Sequence, residues 1–362
     1  IFFMNIKKYF FKKTVIITGH TGFKGSWLTL WLYLSGAKII GLSIDEPSRP
    51  SHFNLLNLKK KIKSIKIDVR NLSKLQKVFI KYQPDFVFHL AAQSIVKKSY
   101  MDPIFTYETN ALGTLNILES LKSVKKSCVA LFITSDKTYK NFEKKAGYKE
   151  DEILGGNDLY SSSKASADIL INSYVKSFFL KKKNIIIGIA RAGNVIGGGD
   201  WSQYRLIPDC VKAWSKKKKV IIRNPNSTRP WQHVLEIIWG YILFSIKLKN
   251  NRKIHGTVLN FGPNQRNNYT VLSVIKIMKK KWKNISWKVK KNKNSFYESN
   301  LLSLNSNKSL KLLKWKTLLN LKQTIYLVID WYKSYYLNKK NVYNLSLNQI
   351  KFYEKLIKKK IR

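Results

Sequence analysis

Tyr160 and Lys164 stand four residues apart in the segment DLYSSSKASAD (158–168), whose pattern is typical of a helix. Residues at this spacing leave one face of a helix, so both side chains can converge on a single ligand. A lysine ammonium beside a phenol stabilises the phenolate and lowers the pKa of the tyrosine. The pair therefore predicts a tyrosine base that works near neutral pH.

A second group of reactive side chains lies in TSDK (134–137), where an apolar run ends. Ser135, Asp136 and Lys137 place a hydroxyl, a carboxyl and an amine next to one another at the end of a predicted strand. A tyrosine and a lysine at helical spacing occur often by chance on an exposed helix. Their combination with this strand end and with the glycine-rich loop described next argues against a chance occurrence.

The stretch TGHTGFKG (18–25) follows one apolar run and precedes a helical pattern, which is the context of a dinucleotide-binding loop. Gly19 permits a tight turn, Gly22 lets a pyrophosphate approach the backbone, and Gly25 lets the helix pack closely. A nucleoside-triphosphate loop is excluded, because Lys24 precedes Gly25 instead of following it. We expect His20 to occupy space that smaller residues leave to the anion, so that His20→Gly tightens cofactor binding.

The type of cofactor is indicated by Asp45, twenty residues beyond Gly25 at the end of the second predicted strand. A carboxylate there accepts hydrogen bonds from a ribose hydroxyl and repels a 2′-phosphate, so NAD is predicted. Arg49 lies close enough to keep NADP as an alternative.

The elements that position these residues alternate along the first half of the chain. Apolar runs and helical patterns follow one another to about residue 195, and mainly helical, lysine-rich sequence follows. This predicts an α/β fold: a Rossmann-like, doubly wound parallel sheet with a smaller, mainly helical C-terminal substrate domain at the carboxyl ends of the strands. Strands are predicted at 14–18, 38–44, 65–69, 86–92, 129–135 and 184–195, and helices at 26–36, 72–82, 104–124 and 161–180.

The formal net charge of +48 would normally indicate a nucleic acid or an anionic membrane surface as partner. Only nine of the 68 basic residues are arginine, and the lysines are spread along a chain rich in residues that AT-rich codons favour. Compositional drift explains this excess, so we predict no nucleic-acid and no membrane partner. The strip 279–294, with aromatic residues among lysines, is the one segment that fits nucleic acid.

The spacing of the cysteines and histidines predicts no metal site. The sequence of residues 1–13 and the absence of long apolar runs lead us to expect a soluble protein. Cys128 and Cys210 have no paired spacing, and the five histidines show no metal-ligand spacing. Residues 1–13 lack the features of a signal peptide, and no uncharged run of eighteen residues occurs. We expect a cytoplasmic location.

These motifs together resemble the extended short-chain dehydrogenase/reductase superfamily and, within it, the CDP-glucose 4,6-dehydratase family. The resemblance covers nearly the whole chain, through VIITGHTGFKGSWLTLWL (15–32), TSDKTY (134–139), DLYSSSKASAD (158–168), ARAGNVIGGGDW (190–201), RLIPD (205–209), RPWQHVLE (229–236) and NFGP (260–263). One departure is Tyr297-Glu298-Ser299, where the family usually has His-Glu-Ala.

The resemblance implies a two-domain NAD enzyme that converts CDP-glucose to CDP-4-dehydro-6-deoxyglucose, a precursor of dideoxy sugars in surface polysaccharides. It implies an NAD-binding domain at 1–190, to which 232–265 returns, and a sugar-nucleotide domain at 191–231 and 266–362. Self-association into a homodimer or homotetramer through the helices 104–124 and 161–180 is also implied.

By the same resemblance Tyr160 removes the sugar O4 proton, Asp136 protonates the departing O6 and Lys137 removes the C5 proton, with Ser135 and Lys164 completing the catalytic group. The expected cofactor contacts are Gly19, Gly22, Phe23, Lys24, Gly25, Asp45, Asp68, Val69, Ala91, Ala92, Tyr160 and Lys164.

Three residues are expected to contact the sugar nucleotide. Arg229 offers a planar fork for a diphosphate, Arg205 can reach the same group, and Asn194 follows a strand end where it can hold a phosphate or sugar oxygen. Trp231 is expected to pack the domain junction, and His89 to be a hydrogen-bonded core residue. His233 fits a structural role and a ligand role equally well.

Two other functions stay open at the level of the sequence. A sugar-nucleotide 4-epimerase shares the Tyr160–Lys164 pair and the NAD loop but needs no acid and base for water loss, so Asp136 and Lys137 favour the dehydratase. A basic nucleic-acid-binding protein on a relic Rossmann fold would need its positive charge on one face.

Overall fold

The computed structural model describes residues 6–144, 146–222, 224–263, 269–283, 285–289 and 301–361. The strands are β1 (Thr14–Thr18), β2 (Lys38–Ser43), β3 (Lys63–Lys66), β4 (Phe86–His89), β5 (Cys128–Ile133), β6 (Ile185–Ala192), β7 (Val195–Ile196), β8 (Val220–Ile222), β9 (Thr228–Arg229), β10 (Gln232–His233), β11 (Val258–Phe261), β12 (Tyr269–Thr270) and β13 (Trp287–Val289).

Helices occupy most of the remaining described chain. They are α1 (Ile6–Phe10), α2 (Phe23–Leu34), α3 (His52–Leu55), α4 (Leu72–Tyr82), α5 (Val96–Met101), α6 (Pro103–Tyr107), α7 (Gly113–Leu121), α8 (Leu159–Tyr174), α9 (Leu206–Ser215), α10 (Val234–Asn250), α11 (Val271–Lys281), α12 (Asn307–Leu313), α13 (Leu321–Tyr336) and α14 (Val342–Ile361). Short 3₁₀ turns lie at Leu58–Lys60, Asp136–Thr138 and Arg252–Ile254, and π-helical turns at Glu108–Leu112 and Val175–Phe179.

Seven strands form one parallel sheet in the order β3-β2-β1-β4-β5-β6-β11. The order reverses between β1 and β4, which is where doubly wound sheets bind ligands. The predicted α/β class with a doubly wound parallel sheet is confirmed. The last strand, β11, comes from residues beyond 232 and pairs with β6 at the sheet edge.

The sheet is buried on both faces, which explains why its strands are continuous apolar runs. Successive residues of β1 point to opposite cores: Val15 and Ile17 belong to one, and Ile16 to the other. The first core contains side chains of α2 and α10, and the second contains side chains of α4, α7 and α8.

Five of the six predicted strands differ in their bounds from the observed ones, and three of them differ by more than two residues at one end or are divided. The predicted strand 184–195 is two strands, because Gly193 and Asn194 separate β6 from β7. The predicted strand 86–92 ends at His89, since the chain leaves the sheet there to line a cavity. The predicted strand 65–69 is paired over Lys63–Lys66. In addition, the predicted helices 104–124 and 161–180 each contain a π-helical turn.

The C-terminal helices are held to the sheet by a buried carboxylate on α10. Glu236 Oε1 accepts hydrogen bonds from the backbone N–H groups of Leu318 (2.8 Å) and Leu319 (2.7 Å), immediately before α13. Its Oε2 accepts from the hydroxyl of Tyr353 on α14. Burial raises the pKa of Glu236 to about 7. One side chain thus joins three segments that are far apart in sequence.

We predict that Glu236→Ala destabilises the protein by on the order of 3 kcal/mol, because it leaves two buried N–H groups and a hydroxyl without their acceptor. Tyr353→Phe removes one donor and should cost only about 1 kcal/mol. Urea unfolding followed by fluorescence measures both. Equal midpoints for Glu236→Ala and the unmodified protein would contradict this account of how the C-terminal helices are held.

Candidate active site

A cavity of about 860 Å³ lies at the carboxyl ends of the main-sheet strands. The segments that follow β1, β2, β3, β4, β5 and β6 all contribute to its wall, because parallel strands end at the same edge. The residues predicted from the sequence that line it are Gly19, Gly22, Phe23, Lys24, Gly25, Asp45, Asp68, Val69, Ala91, Ala92, Ser135, Lys137, Tyr160, Lys164, Asn194, Arg205 and Arg229.

The glycine-rich loop is packed too tightly for any side chain at two of its positions. Gly19 has φ +71°, and a Cβ there would lie 2.8 Å from the backbone nitrogen of Ala91. A Cβ on Gly25 would lie 2.0 Å from the carbonyl oxygen of Gly19. Helix α2 starts directly behind this turn with Gly22 as its N-cap. The first N–H groups of α2 are therefore available to an anion at the loop.

The expectation that His20 occupies space near the anion is wrong. Its ring is buried beneath the loop, where Nε2 pairs with the Ser64 hydroxyl (2.8 Å) and Nδ1 with the Ser43 hydroxyl (3.0 Å). The ring also lies so close to Gly41 that a Cβ there would be 2.3 Å from its Cδ2. His20 therefore supports the loop from the β2–β3 side and does not occupy the path of an anion.

Two carboxylates line the cavity beyond the ends of β2 and β3. Asp45 follows β2 and is exposed, and a hydrogen bond from the backbone N–H of Glu46 lowers its pKa. Thr21 Oγ1 donates to the carbonyl of Asp45 (2.7 Å), which ties the glycine loop to the end of β2. Asp68 follows β3 and is paired with Arg70 at 2.8 Å.

These features together fit a dinucleotide. The N-terminus of α2 suits a pyrophosphate, and the Asp45 carboxylate at the rim suits a ribose hydroxyl. Thr109 also lines the cavity, and its buried Oγ1 has no hydrogen-bond partner among the described residues. A buried hydroxyl without a partner is costly, so a ligand polar group is the natural acceptor or donor for it.

The catalytic candidates converge from two elements. Asp158 caps α8 by accepting from the N–H of Ser161 (2.9 Å), which starts the helix just before Tyr160. Ser135 follows β5 and starts the 3₁₀ turn Asp136–Thr138. Tyr160 and Lys164 from the helix and Ser135 and Lys137 from the turn line the same cavity.

The predicted effect of Lys164 on the pKa of Tyr160 is not seen. Burial raises the pKa of Tyr160 to about 12, against a smaller lowering by its hydrogen bond with Ser135. The Lys164 ammonium donates instead to the carbonyl of Ile133 at 3.1 Å. Burial also lowers the pKa of Lys164 to about 8. The protein alone therefore places a protonated phenol in the cavity, and a phenolate needs additional positive charge beside it.

Asp136 is the one predicted catalytic residue that does not line the cavity. Its buried carboxyl accepts from the Ser135 hydroxyl at 3.0 Å, and its Oδ2 lies 3.1 Å from the position that a Cβ on Gly193 would take. Ser135 and Gly193 both line the cavity, so Asp136 sits directly behind its wall. Burial raises the pKa of Asp136, in opposition to the nearby ammonium of Lys137. A carboxyl with a raised pKa is suited to donate a proton.

Several cationic side chains line the cavity. Burial lowers the pKa of Lys24 to about 8, and the charges of Arg205 and Lys164 lower it further. Arg229 and Asn194 line the same space. Such a group of cations matches a ligand with several phosphates.

Sequence reasoning missed Asp200, which holds Arg205 in place. Its carboxylate Oδ2 accepts from Arg205 Nη1 at 3.0 Å, and its backbone N–H donates to the Tyr332 hydroxyl at 3.0 Å. The signal was present in GGGDWSQYR (197–205), where an acidic residue stands five positions before the arginine.

Two predicted histidines and Trp231 lie outside the catalytic group. His89 is a core residue, as predicted: Nδ1 pairs with Thr18 Oγ1 (2.7 Å) and Nε2 with Thr114 Oγ1 (3.1 Å). Trp231 is buried at the cavity wall and donates to the carbonyl of Tyr269 (3.1 Å). His233 caps α10 by accepting from the N–H of Leu235 at 3.3 Å, which is a structural role.

Tyr297 and its neighbours lie outside the described residues, as does most of the second half of the strip 279–294. No group of three or more His, Cys, Asp or Glu side chains that could hold a metal occurs among the residues the structure describes. Within the same residues, no helix has both the length and the apolar character needed to cross a bilayer.

Comparisons with known proteins agree with this arrangement. A family model described as GDP-mannose 4,6 dehydratase matches residues 16–327. A CDP-glucose 4,6-dehydratase of Salmonella typhimurium is 40% identical over 334 residues, covering 91% of this chain and 93% of that protein.

Two solved structures share the fold. An epimerase of Methanothermobacter thermautotrophicus has a TM-score of 0.80 at 22% identity and covers 93% of this chain and 97% of that chain. A dTDP-glucose 4,6-dehydratase of Bacillus anthracis, in complex with NAD, has a TM-score of 0.73 at 23% identity and covers 89% and 97%.

We predict that Lys164→Met stabilises the protein at pH 7 by on the order of 2 kcal/mol. The pKa of Lys164 is about 8 when folded and 10.5 when unfolded, so charging this buried amine costs stability below pH 8. Between pH 8 and 10.5 the unfolded chain binds more protons, and stability should rise with pH more steeply in the unmodified protein than in the variant, which keeps only Lys24 with a pKa of about 8.

Urea unfolding at several pH values tests this prediction. Lys74→Met, at an exposed lysine on α4, is the control and should leave both the stability and its pH dependence unchanged. If the Lys164→Met variant is less stable than the unmodified protein at pH 7, burying the Lys164 charge does not cost folding stability as predicted.

Proposed function

The chain belongs to the GDP-mannose 4,6-dehydratase family, and we propose that it catalyses the NAD-dependent dehydration of CDP-glucose to CDP-4-dehydro-6-deoxyglucose. The observation that carries this proposal is the convergence of Ser135, Lys137, Tyr160 and Lys164 on one cavity, with Asp136 behind its wall, in a chain that is 40% identical to a CDP-glucose 4,6-dehydratase.

Cofactor and substrate are assigned to two parts of the cavity. The glycine loop, Asp45, Asp68, Val69, Ala91 and Ala92 would hold NAD, and Asn194, Arg205 and Arg229 would hold the sugar nucleotide. Bound NAD would accept hydride from C4 of the sugar and return it at C6.

Tyr160 begins the reaction by taking the proton of the C4 hydroxyl as that carbon is oxidised to a ketone. Ser135 is hydrogen-bonded to Tyr160, and its hydroxyl supports the phenolate when it turns from Asp136 to donate to Tyr160. Arg205 also favours the phenolate, since its charge lowers the pKa of Tyr160. The cations of the cavity therefore supply part of the positive charge that the buried phenol needs.

The ketone at C4 makes the C5 hydrogen acidic, and Lys137 removes it. Asp136 then gives its proton to O6, which leaves as water and creates a C5–C6 double bond. The Asp136 proton reaches O6 after a side-chain rotation or through the Ser135 hydroxyl, to which the carboxyl is bonded. Hydride addition at C6 and proton return at C5 complete the product.

The wider assignments rest on the resemblance. We place the reaction in the cytoplasm, where it would supply 6-deoxy and dideoxy sugars to surface polysaccharide synthesis such as O-antigen. A 4-epimerase is the weaker alternative, because it has no use for an acid and a base at C5 and C6. Incubation with CDP-glucose and NAD tests the function: the product should be lighter by one water, whereas an isomer of unchanged mass would support the epimerase.

We predict that Lys137→Ala separates oxidation from dehydration. With CDP-glucose in deuterated water the variant should still form NADH but should neither exchange the C5 hydrogen nor release water, because only the base for C5 is removed. NADH absorbance and mass spectrometry of the sugar measure the two steps. Dehydration at near the normal rate would rule out Lys137 as the base.

We predict that Asp45 makes the protein prefer NAD over NADP and that Asp45→Ala narrows this preference, because the carboxylate repels the 2′-phosphate. Steady-state rates with the two cofactors measure the effect, and Asp45→Glu, which keeps the charge, is the control. Equal turnover of the unmodified protein with both cofactors would contradict the assignment.

We also propose a homo-oligomer formed through the helices at 103–121 and 159–179. Ile104 on α6 is 71% exposed and Ile169 on α8 is 53% exposed, and Leu112 and Phe178 in the adjacent π-helical turns are also exposed. Apolar side chains along neighbouring helices suit packing against the same helices of a second copy.

We predict a dimer or tetramer by light scattering, against a chain mass of 42.2 kDa. Ile169→Lys should shift the mass towards the monomer, because it places a charge in the apolar contact. Phe352→Lys, at an exposed apolar residue of α14 on the other side of the sheet, should leave it unchanged. A monomer at micromolar concentration would refute the proposal.

A further inference from the structure

A buried ion pair lies immediately behind the catalytic candidates. Arg191 on β6 is 2% exposed and Asp168 on α8 is fully buried. Arg191 Nε donates to Asp168 Oδ2 at 2.9 Å and Nη2 donates to Oδ1 at 2.7 Å, so the pair is bidentate. Neither residue lines the cavity, and the mechanism above uses neither.

The Asp168 end of this pair belongs to the helix that carries the tyrosine and lysine. Asp168 follows Lys164 by four residues and Tyr160 by eight, so all three lie on one face of α8. Its Oδ2 also accepts from Thr134 Oγ1 at 2.9 Å, at the end of β5. The preceding residue, Ile133, accepts from Lys164. Two consecutive turns of α8 are thus bonded to the last residue of β5 and to the residue that follows it.

The Arg191 end reaches the other side of the catalytic segment. Arg191 Nη1 donates to the Tyr139 hydroxyl at 2.7 Å and to the Glu150 carbonyl at 3.0 Å. The Tyr139 hydroxyl in turn donates to Asn260 Oδ1 at 2.8 Å, on β11. The segment 134–139 is therefore fixed at its first residue by Asp168 and at its last residue by Arg191.

Stability alone is a weak reason for such a pair. The attraction of two buried charges roughly offsets their loss of hydration, and an apolar pair of similar size is often as stable. A bidentate pair differs from an apolar one in fixing relative orientation. Here the ion pair fixes the orientation of the turn after β5 relative to α8, and side chains of both must contact the same sugar.

We propose that Arg191 and Asp168 are positioning residues: their ion pair sets the turn that carries Ser135, Asp136 and Lys137 relative to the helix that carries Tyr160 and Lys164. The expected loss of rate rests on the proposed function. The fixed orientation of the turn and the helix rests on the geometry alone. A displacement of about 1 Å between reacting groups is enough to slow a reaction on the order of a hundredfold.

Tyr139→Phe tests the proposal with little change in volume, because it removes only the hydroxyl that joins Arg191 to the end of the catalytic segment. Tyr353→Phe is the matched control: it removes a buried tyrosine hydroxyl that bonds to Glu236, in the helices behind the first core. Both variants should lose similar global stability, by about 1 kcal/mol in urea unfolding.

The first readout needs no substrate. Lys137 N–H donates to Ser135 Oγ at 3.2 Å and Thr138 N–H to the Ser135 carbonyl at 3.3 Å. Hydrogen exchange of these two amides should be faster in Tyr139→Phe and unchanged in Tyr353→Phe. The same exchange rates in both variants would overturn the proposal, whether or not CDP-glucose proves to be the substrate.

The second readout is the rate of C4 oxidation in a single turnover with CDP-glucose, followed as NADH. Tyr139→Phe should lower this rate about tenfold or more with little change in KM, while Tyr353→Phe leaves it unchanged. If the unmodified protein releases no water from CDP-glucose, the proposed function fails, and the exchange experiment still decides the positioning role.

A double variant, Asp168→Leu with Arg191→Met, replaces the ion pair by two apolar side chains. It is needed because a single substitution would leave one buried charge unpaired and could prevent folding. It should unfold at a urea concentration close to that of the unmodified protein but show fast exchange at Lys137 and Thr138. Normal exchange and normal turnover in a stable double variant would show that the pair has no positioning role.

Discussion

The site depends on how helix α8 is seated against the end of β5. The Lys164 ammonium donates to the Ile133 carbonyl, and Thr134 donates to the Asp168 carboxylate one turn further along the helix. These bonds bring the tyrosine and lysine of α8 to the turn that follows β5. Because neighbouring parallel strands end at the same edge, the glycine loop after β1 lies at the same cavity.

Burial sets the protonation states in this cavity more strongly than pairing does. It raises the pKa of Tyr160 and of Asp136, and it lowers the pKa of Lys24 and Lys164 to about 8. Each group is shifted towards its neutral form, which keeps Tyr160 a phenol and makes Asp136 a better proton donor, while Lys24 and Lys164 stay mainly protonated at pH 7. Positive charge beside Tyr160 favours the phenolate that the reaction uses, whereas ligand phosphates favour the charged forms of the surrounding lysines.

The sequence predicted the sheet, the loop and most of the site, because apolar runs, glycine spacing and strand-end polar residues are local signals. It failed for His20, since nothing local shows that the ring turns under the loop to Ser43 and Ser64. It also failed for the pKa of Tyr160, because the seating of Lys164 on Ile133 is a tertiary contact. Asp168 and Arg191 lie inside quoted motifs, yet their pairing across 23 residues is visible only in the fold.

The central claim is that this cavity oxidises C4, eliminates water across C5 and C6, and returns the same hydride to C6. CDP-glucose labelled with deuterium at C4 tests it most directly. The account predicts that the product carries the deuterium in its new C6 methyl group, with a mass lower by one water. Deuterium retained at C4 in a product of unchanged mass would contradict the account and support a 4-epimerase.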